Sequence, residues 1–219
     1  MEAIMKYILL DLDGTITDPK EGITKSVQYA LKSKGILVED LDSLCRHIGP
    51  PLKTSFMDFY GFSESEAEEL VKKYREYFRD TGIFENRVYE GMDELLRKLR
   101  TAGKKLITAT SKPEVFAKRI LEHFELDHYF DDICGASMDN SRIDKEDVIR
   151  YALEKNGIKD LSEVIMVGDR EHDVIGAHKV GIASLGVLFG YGSRQELEEA
   201  GADRLALTVA GVYDVIMSM

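Results

Sequence analysis

YILLDLDGT, residues 7–15, is an apolar run of strand length that ends abruptly in two carboxylates. A short continuous apolar run is typical of a strand buried on both faces of a parallel sheet. Asp11 and Asp13 follow the carboxyl end of that strand, where open α/β sheets bind their ligands. Gly14 lets the backbone turn, and Thr15 offers a hydroxyl and an N–H. The stretch indicates either a metal-assisted acid and nucleophile site or a solvated acidic turn.

The composition is that of an acidic globular protein. The 219 residues are 44% hydrophobic and 32% charged, and 29 Lys and Arg against 40 Asp and Glu give a net charge of -11. Because the chain has no block of basic residues, nucleic acid and anionic membranes are not expected partners. A phosphate-binding pocket in such a protein needs its positive charge supplied locally.

The two cysteines and the first ten residues indicate the cellular compartment of the protein. Cys45 and Cys134 are too distant to suggest a disulfide framework or a zinc site, and both are expected to be buried. The first ten residues do not resemble a signal peptide, and no apolar run approaches the roughly 20 residues of a membrane span. The sequence therefore predicts a cytoplasmic protein.

Hydrophobic spacing divides the chain into two kinds of structure. After Thr15 the spacing is helical, with no convincing strand before residue 86. From Tyr89 onward, apolar strands alternate with helices, which predicts a doubly wound parallel sheet with right-handed crossovers. We therefore expect a Rossmann-like α/β core of residues 1–17 and 86–219 with a small inserted α-helical cap of residues 18–85. Two capping-box patterns mark helix starts: Ser63 with Glu66, and Ser193 with Glu196.

Polar side chains follow several predicted strands or begin the next helix. Because the carboxyl ends of parallel strands share one edge of the sheet, we expect these side chains to meet there. Hard oxygen ligands at this density suit Mg²⁺, and a phosphoryl group requires a hydroxyl donor and a fixed cation. The set indicates phosphoryl transfer to a carboxylate nucleophile. Its members are Asp11, Asp13, Thr110, Ser111, Lys145, Asp169 and Asp173.

These residues resemble the four motifs of the haloacid dehalogenase superfamily. The first motif matches residues 11–15, the second Thr110, the third Lys145, and the fourth Gly168-Asp169 with Asp173. The resemblance covers nearly the whole chain and is closest to the phosphoglycolate phosphatase-like and 5′-nucleotidase-like branch. It implies a Mg²⁺-dependent phosphatase acting on a small phosphorylated metabolite, and we expect a monomer or a weak homodimer.

The resemblance also implies individual roles. Asp11 would form an aspartyl-phosphate, and Asp13 would protonate the leaving oxygen and then activate water. Thr110 and Lys145 would bind the phosphoryl oxygens. Mg²⁺ would be held by Asp11, the backbone carbonyl of Asp13 and Asp169, with Asp173 either near the metal or orienting Lys145.

The chain departs from the family pattern after two of the motifs. Ser111-Lys112 stands where the second motif often continues with Asn, and the prolines common after the third motif are absent. Lys112 is therefore a rival for the cationic role of Lys145. An acidic protein also needs cations that recruit an anionic substrate. The predicted substrate contacts are Thr15, Ser111, and, in the cap, Arg46 and Lys53.

Two other functions fit part of the pattern. A β-phosphoglucomutase-type sugar-phosphate mutase shares the nucleophile, acid and metal, but Thr15 favours hydrolysis because mutases of the family often carry Val there. A non-catalytic phospho-aspartate switch would also use acids, a hydroxyl and a lysine. Such a switch needs neither Asp13 as a leaving-group acid nor a lid that excludes water. The sequence favours the phosphatase.

Overall fold

The computed structural model describes residues 5–139 and 141–219. They divide into two compact units: a core formed by the described residues up to Asp18 and from Val88 onward, and an inserted unit of Pro19–Arg87. The boundaries expected from the sequence lie at 17/18 and 85/86.

The core is built on a parallel sheet. Six strands lie in the order β5-β4-β1-β6-β7-β8, and β2 pairs with β3 in a separate two-stranded sheet. The strands of the described residues are β1 (Tyr7–Leu10), β2 (Thr17–Asp18), β3 (Arg87–Val88), β4 (Lys105–Pro113), β5 (Asp132–Ala136), β6 (Val164–Gly168), β7 (Ala183–Val187) and β8 (Arg204–Ala206). The predicted doubly wound α/β fold is confirmed.

Nine α-helices are present in the described residues, three of them in the inserted unit. They are α1 (Lys20–Lys32), α2 (Leu52–Tyr60), α3 (Glu64–Tyr77), α4 (Met92–Thr101), α5 (Glu114–His123), α6 (Lys145–Lys155), α7 (Glu171–Val180), α8 (Arg194–Glu199) and α9 (Val209–Met217). Short 3₁₀ helices span Leu41–His47, Asp127–Tyr129 and Leu161–Glu163, and a π-helical turn spans Phe78–Gly82.

The position of β1 in the sheet explains where its acids lie. This strand pairs with β4 on one side and β6 on the other, so that Leu10 is level with Thr108 and Val167. Leu9 and Leu10 are fully buried because helices cover both faces of a parallel sheet. The next residue, Asp11, extends the ladder by donating its backbone N–H to the carbonyl of Val167. The acidic turn therefore begins at the centre of the carboxyl edge of the sheet.

The inserted unit is helical between residues 19 and 86, all of which the structure describes. Apolar residues at helical spacing, among them Val27, Leu44 and Leu70, are fully buried between its helices. The predicted capping box of α3 is present, since the Ser63 hydroxyl accepts from the Glu66 N–H while the Glu66 carboxylate accepts from the Ser63 N–H. The predicted helical insertion is confirmed.

The structure corrects two local predictions. The Ser193 hydroxyl accepts from the N–H of Glu196, but the Glu196 carboxylate binds the Arg170 side chain and the Glu171 N–H instead of returning to Ser193. The half-buried guanidinium of Arg170 offers that carboxylate a stronger, charge-assisted bond, so only half of the predicted capping box forms. Cys134 is buried as expected, whereas Cys45 is only half-buried because the 3₁₀ helix of Leu41–His47 packs its other face inward.

The described residues contain no helix with both the length and the apolar character needed to cross a membrane.

Candidate active site

Three buried carboxylates converge at the carboxyl edge of the sheet. Asp11 follows β1, Asp169 follows β6, and Asp173 lies in the first turn of α7. One oxygen from each lies within 4.8 Å of the others, and all three side chains are buried. The strand order makes β1 and β6 neighbours, which brings residues 158 positions apart into one cluster.

A tight turn places Asp13 beside this cluster. The carbonyl of Leu12 accepts N–H groups from Thr15 and the two residues after it, and the Gly14 N–H bonds the Thr17 carbonyl. Gly14 has φ of +81°, a conformation that costs other residues steric strain. The turn buries the Asp13 carboxyl and leaves the buried hydroxyl of Thr15 without a hydrogen-bond partner among the described residues.

Lys145 supplies a cation to the cluster. As the first residue of α6, it places its Nζ 3.0 Å from Asp11 Oδ1 and 2.6 Å from Asp173 Oδ1, and it donates to the carbonyl of Ala109. Burial by itself lowers the pKa of this lysine, but the two carboxylates outweigh burial and raise it. Lys145 is therefore held as an ammonium. The second oxygen of Asp173 accepts the N–H of Arg170, so both of its oxygens are engaged.

Two carboxyl groups of the cluster, those of Asp169 and Asp173, have raised pKa values. Burial, followed by the charges of Asp173 and Asp11, raises the pKa of Asp169 well above its usual range. Burial is also the main reason that the pKa of Asp173 is raised to about 6, against the lowering effect of Lys145. Carboxyls crowded in this way are relieved by protonation or by a cation.

Glycines bring backbone and side chains unusually close around Asp169. A Cβ on Gly14 would collide with the Asp169 carboxylate, one on Gly190 with its side chain, and one on Gly192 with its carbonyl. The N–H of Tyr191 donates to Asp169 Oδ2 at 2.7 Å, and the Tyr191 hydroxyl donates to Asp18. Sequence reasoning missed this loop, although two glycines just beyond a strand end are a signal of close backbone approach.

Comparison with known proteins identifies the family. Residues 8–187 match the model of the haloacid dehalogenase-like hydrolases. The chain belongs to this family.

Three proteins illustrate what this chain is similar to over most of its length. A 5′-nucleotidase from Pseudomonas aeruginosa is 46% identical over 219 residues, covering 99% of each chain. A tyrosine-protein kinase, PtkA, from Mycobacterium tuberculosis is 42% identical over 188 residues, covering 85% of this chain and 63% of PtkA. The crystal structure of a predicted phosphatase from Clostridium acetobutylicum has a TM-score of 0.97 and 51% identity, covering 99% of this chain and all of that one. The predictions of a haloacid dehalogenase-like family and of an enzyme, a phosphatase of this kind, are confirmed.

The rival lysine lies in the same haloacid dehalogenase-like site. Lys112 belongs to β4, and its Nζ lies 2.7 Å from Asp13 Oδ2, with both side chains buried. Its N–H donates to the hydroxyl of Thr110, which is also buried, whereas Ser111 is half-buried. The structure brings both candidate lysines to the acids, each paired with a different carboxylate of the first motif.

The charges in the site leave room for a divalent cation. Four buried carboxylates and two buried lysines carry a formal charge of -2 when all are ionised. Oδ1 of Asp169 is buried and has no hydrogen-bond partner among the described residues, although Oδ2 is satisfied by Tyr191. Unpartnered carboxylate oxygen is the ligand that hard cations such as Mg²⁺ take, so the donor set fits such an ion.

The two predicted substrate contacts of the inserted unit have different surroundings. Lys53 is paired with Glu64 at 2.6 Å and Glu68 at 2.9 Å. Arg46 is exposed, and its guanidinium lies 4.5 Å from the ring centre of Phe59 and 5.1 Å from that of Tyr60. Lys53 is therefore already neutralised by its neighbours, whereas Arg46 presents its charge on an aromatic surface.

Proposed function

We propose that this chain is a Mg²⁺-dependent phosphatase that hydrolyses a small phosphomonoester through an aspartyl-phosphate on Asp11. The observation that carries the proposal is the pairing of the two first-motif carboxylates with two different buried lysines. Asp11 lies 3.0 Å from Lys145, and Asp13 lies 2.7 Å from Lys112. Two neighbouring carboxylates in different surroundings can take different roles in acid–base and nucleophilic chemistry.

In the first step a carboxylate oxygen of Asp11 attacks phosphorus. The bond from phosphorus to the ester oxygen breaks, and that oxygen takes a proton from Asp13 to leave as an alcohol. Burial raises the pKa of Asp13 against the opposing effect of Lys112, which favours the proton-carrying form that this step needs.

In the second step water attacks the phosphorus of the aspartyl-phosphate. Asp13 takes a proton from the water, the bond from phosphorus to the Asp11 oxygen breaks, and inorganic phosphate leaves with Asp11 regenerated as a carboxylate. Lys145 and the hydroxyls of Thr110 and Ser111 would bind the phosphoryl oxygens, and the unpartnered hydroxyl of Thr15 is a further donor. Asp173, with both oxygens engaged, would hold Lys145 in place.

A bound Mg²⁺ would be held by Asp11, Asp169 and the backbone carbonyl of Asp13, with Asp173 nearby. The ion would neutralise charge on the phosphoryl group and on the nucleophile. Two features support Mg²⁺ binding here. One oxygen of Asp169 has no partner among the described residues, and the two lysines do not fully compensate the negative charge of the carboxylates.

For the substrate we propose a small phosphorylated metabolite, with nucleoside 5′-monophosphates first. The support is the similarity over the whole chain to a protein named 5′-nucleotidase. Phosphoglycolate is the second choice, from the resemblance of the motifs. A panel of phosphorylated metabolites, ranked by kcat/KM, tests this order.

The second candidate is a phosphotransferase, which passes the phosphoryl group to the hydroxyl of an acceptor molecule instead of to water. It is considered because one relative is named a tyrosine-protein kinase. A sugar-phosphate mutase would use such a transfer as well. Hydrolysis releases one inorganic phosphate for each ester consumed, whereas transfer releases less. Measuring both quantities in one reaction separates the two candidates.

The proposed mechanism is tested at the two first-motif acids. Asp11→Asn should give no covalent intermediate and essentially no turnover. Asp13→Asn should fold and bind phosphate but lose on the order of 10²–10⁴ in rate. Rapid quenching followed by peptide mapping should locate phosphate on Asp11; phosphate on another residue, or near-normal turnover by Asp11→Asn, would overturn the mechanism.

A further inference from the structure

We propose that Lys112 is a positioning residue that fixes the Asp13 carboxyl group so that Oδ1 faces the leaving oxygen. The inference rests on the proposed function, because it assigns Lys112 a task within general acid–base catalysis. It gives the two site lysines separate roles: Lys145 serves the nucleophile and the phosphoryl group, and Lys112 serves the acid.

The Lys112–Asp13 pair is short and shielded from water. Nζ lies 2.7 Å from Oδ2, and the two side chains are 4% and 12% exposed. The other oxygen, Oδ1, is buried and has no hydrogen-bond partner among the described residues. One oxygen of Asp13 is thus bound by a cation, and the other remains available to a substrate.

The backbone of Lys112 is fixed on both sides. The pairing of β4 with β5 is irregular between Thr110 and Pro113, and there the N–H of Lys112 donates to the Thr110 hydroxyl. Gly135 makes room for this strand, since a Cβ on it would lie 2.5 Å from the Lys112 carbonyl oxygen. The Lys112 side chain therefore extends from a backbone that neighbouring groups hold in place, as a positioning role requires.

The chemistry of an ammonium determines which oxygen of Asp13 can act. An ammonium only donates hydrogen bonds, so Oδ2 serves as its acceptor. The proton that Asp13 gives to the leaving oxygen is then carried on Oδ1. Without Lys112 the carboxyl can rotate about its own bond, and a misplacement of about 1 Å at a reacting group can cost roughly 10²-fold in rate.

The experiment uses Lys112→Met, which keeps most of the length and removes the charge, and Lys112→Arg, which restores a donor. Lys118→Met is the control, because Lys118 is an exposed lysine of the same unit, 3.8 Å from Glu122. The substrates are phenyl phosphate and 4-nitrophenyl phosphate, which are similar in shape but differ in how much the leaving oxygen needs a proton.

We expect Lys112→Met to lower kcat for phenyl phosphate by about 10²-fold and for 4-nitrophenyl phosphate by much less, with KM little changed. Lys112→Arg should recover most of the loss, and Lys118→Met should match the wild type. Combined with Asp13→Asn, Lys112→Met should cost little more, because its effect passes through Asp13. A structural role alone would lower both rates equally.

Two outcomes would overturn the positioning role. Equal losses on both substrates would rule it out, and together with a raised KM they would make Lys112 a phosphate-binding residue. Additive losses in the double variant would separate Lys112 from Asp13. If Lys112→Met does not fold, Lys112→Gln, whose amide still donates, should show a smaller loss with the same dependence on leaving group. Failure of the proposed function is recognised separately, by a wild type without turnover or an Asp13→Asn variant without loss.

Discussion

Lys145 Nζ lies 2.6 Å from Oδ1 of Asp173, and this buried ion pair joins the first turn of α6 to that of α7. The same ammonium lies 3.0 Å from Asp11. One lysine therefore offsets two carboxylates that would otherwise repel each other across the carboxyl edge of the sheet. It links the predicted nucleophile to a residue of the fourth motif.

Removing that lysine should destabilise the protein more than removing its partner. Lys145→Met leaves Asp11 and Asp173 facing each other without a cation, and breaking a buried pair in this way costs about 3–5 kcal/mol. Asp173→Asn should cost less, because Lys145 keeps Asp11 and the Ala109 carbonyl as partners. Urea unfolding of both variants, with and without Mg²⁺, measures the difference. Equal stabilities of the two variants would contradict this ranking.

Gly14 should be required for more than its backbone conformation. Gly14→Ala adds a methyl group that collides with the Asp169 carboxylate, so we expect Mg²⁺ affinity to fall by at least about tenfold. Gly103→Ala is the matched control, since Gly103 has φ of +77° and no atom within 4 Å of its Cβ position. Both variants carry strain at positive φ, but only Gly14→Ala should lose metal binding in calorimetry. Equal affinities would show that Asp169 can move aside.

Residues close in sequence made the fold predictable. The apolar run before Asp11 identified β1, the alternation after Tyr89 identified the parallel sheet, and helical spacing identified the inserted unit. These signals are local because a helix or strand that is buried on one face or both carries apolar residues at short, regular intervals along the chain. Known motifs then indicated which strand ends carry acids, and those acids do meet at one edge.

The parts of the site that escaped prediction depend on contacts between distant residues. Lys112 was a candidate cation in the sequence, but its pairing with Asp13 joins residues 99 positions apart, and the hydrogen bond from Tyr191 to Asp169 joins residues 22 positions apart. A backbone N–H has no sequence signature, so its donation to a carboxylate cannot be read from residue types. Glu196 shows the same limit, because a distant arginine competes successfully with the local capping box.

Metal dependence should follow from the carboxylate cluster. We expect chelation to abolish activity and added Mg²⁺ to restore it, and Asp169→Asn should weaken Mg²⁺ binding because it removes the charge of the carboxylate with an unpartnered oxygen. Calorimetric titration of the metal-free protein gives the affinity directly, apart from activity. Full activity in excess chelator would rule out the requirement and favour metal-free chemistry.

Acidification should destabilise the inserted unit through His47. Burial among Phe56, Phe59 and Tyr60, with a smaller effect of Arg46, lowers the pKa of this histidine from 6.5 to about 4. The unfolded chain therefore binds a proton that the folded one excludes, so this contribution to stability is complete above pH 6.5 and is lost as pH falls towards 4. At pH 4.5 the loss should be about 2–3 kcal/mol.

The His47 effect is isolated by a variant that cannot be protonated. His47→Phe should lose less stability than the wild type between pH 7.5 and pH 4.5, because phenylalanine keeps the aromatic packing without a titrating group. An NMR titration of the His47 ring should give a pKa near 4. A ring that titrates near 6.5 would show that the aromatic cluster opens to water.

Substrate choice should depend on the inserted unit, and Arg46 should matter more than Lys53. The Lys53 ammonium is already held by Glu64 and Glu68, whereas the exposed Arg46 guanidinium has no carboxylate within ion-pair distance among the described residues. An anion is attracted by charge that is not already neutralised, and the planar guanidinium of Arg46 can itself stack on an aromatic base. We therefore expect Arg46→Ala to raise KM for nucleoside 5′-monophosphates several-fold and to change the substrate ranking.

Lys53→Ala should change both less, and Lys34→Ala, which removes a similar pair with Glu69, is the control. All three variants should cleave 4-nitrophenyl phosphate at the wild-type rate, because the reacting groups belong to the core. Unchanged rankings in Arg46→Ala and Lys53→Ala would remove both residues from substrate recognition.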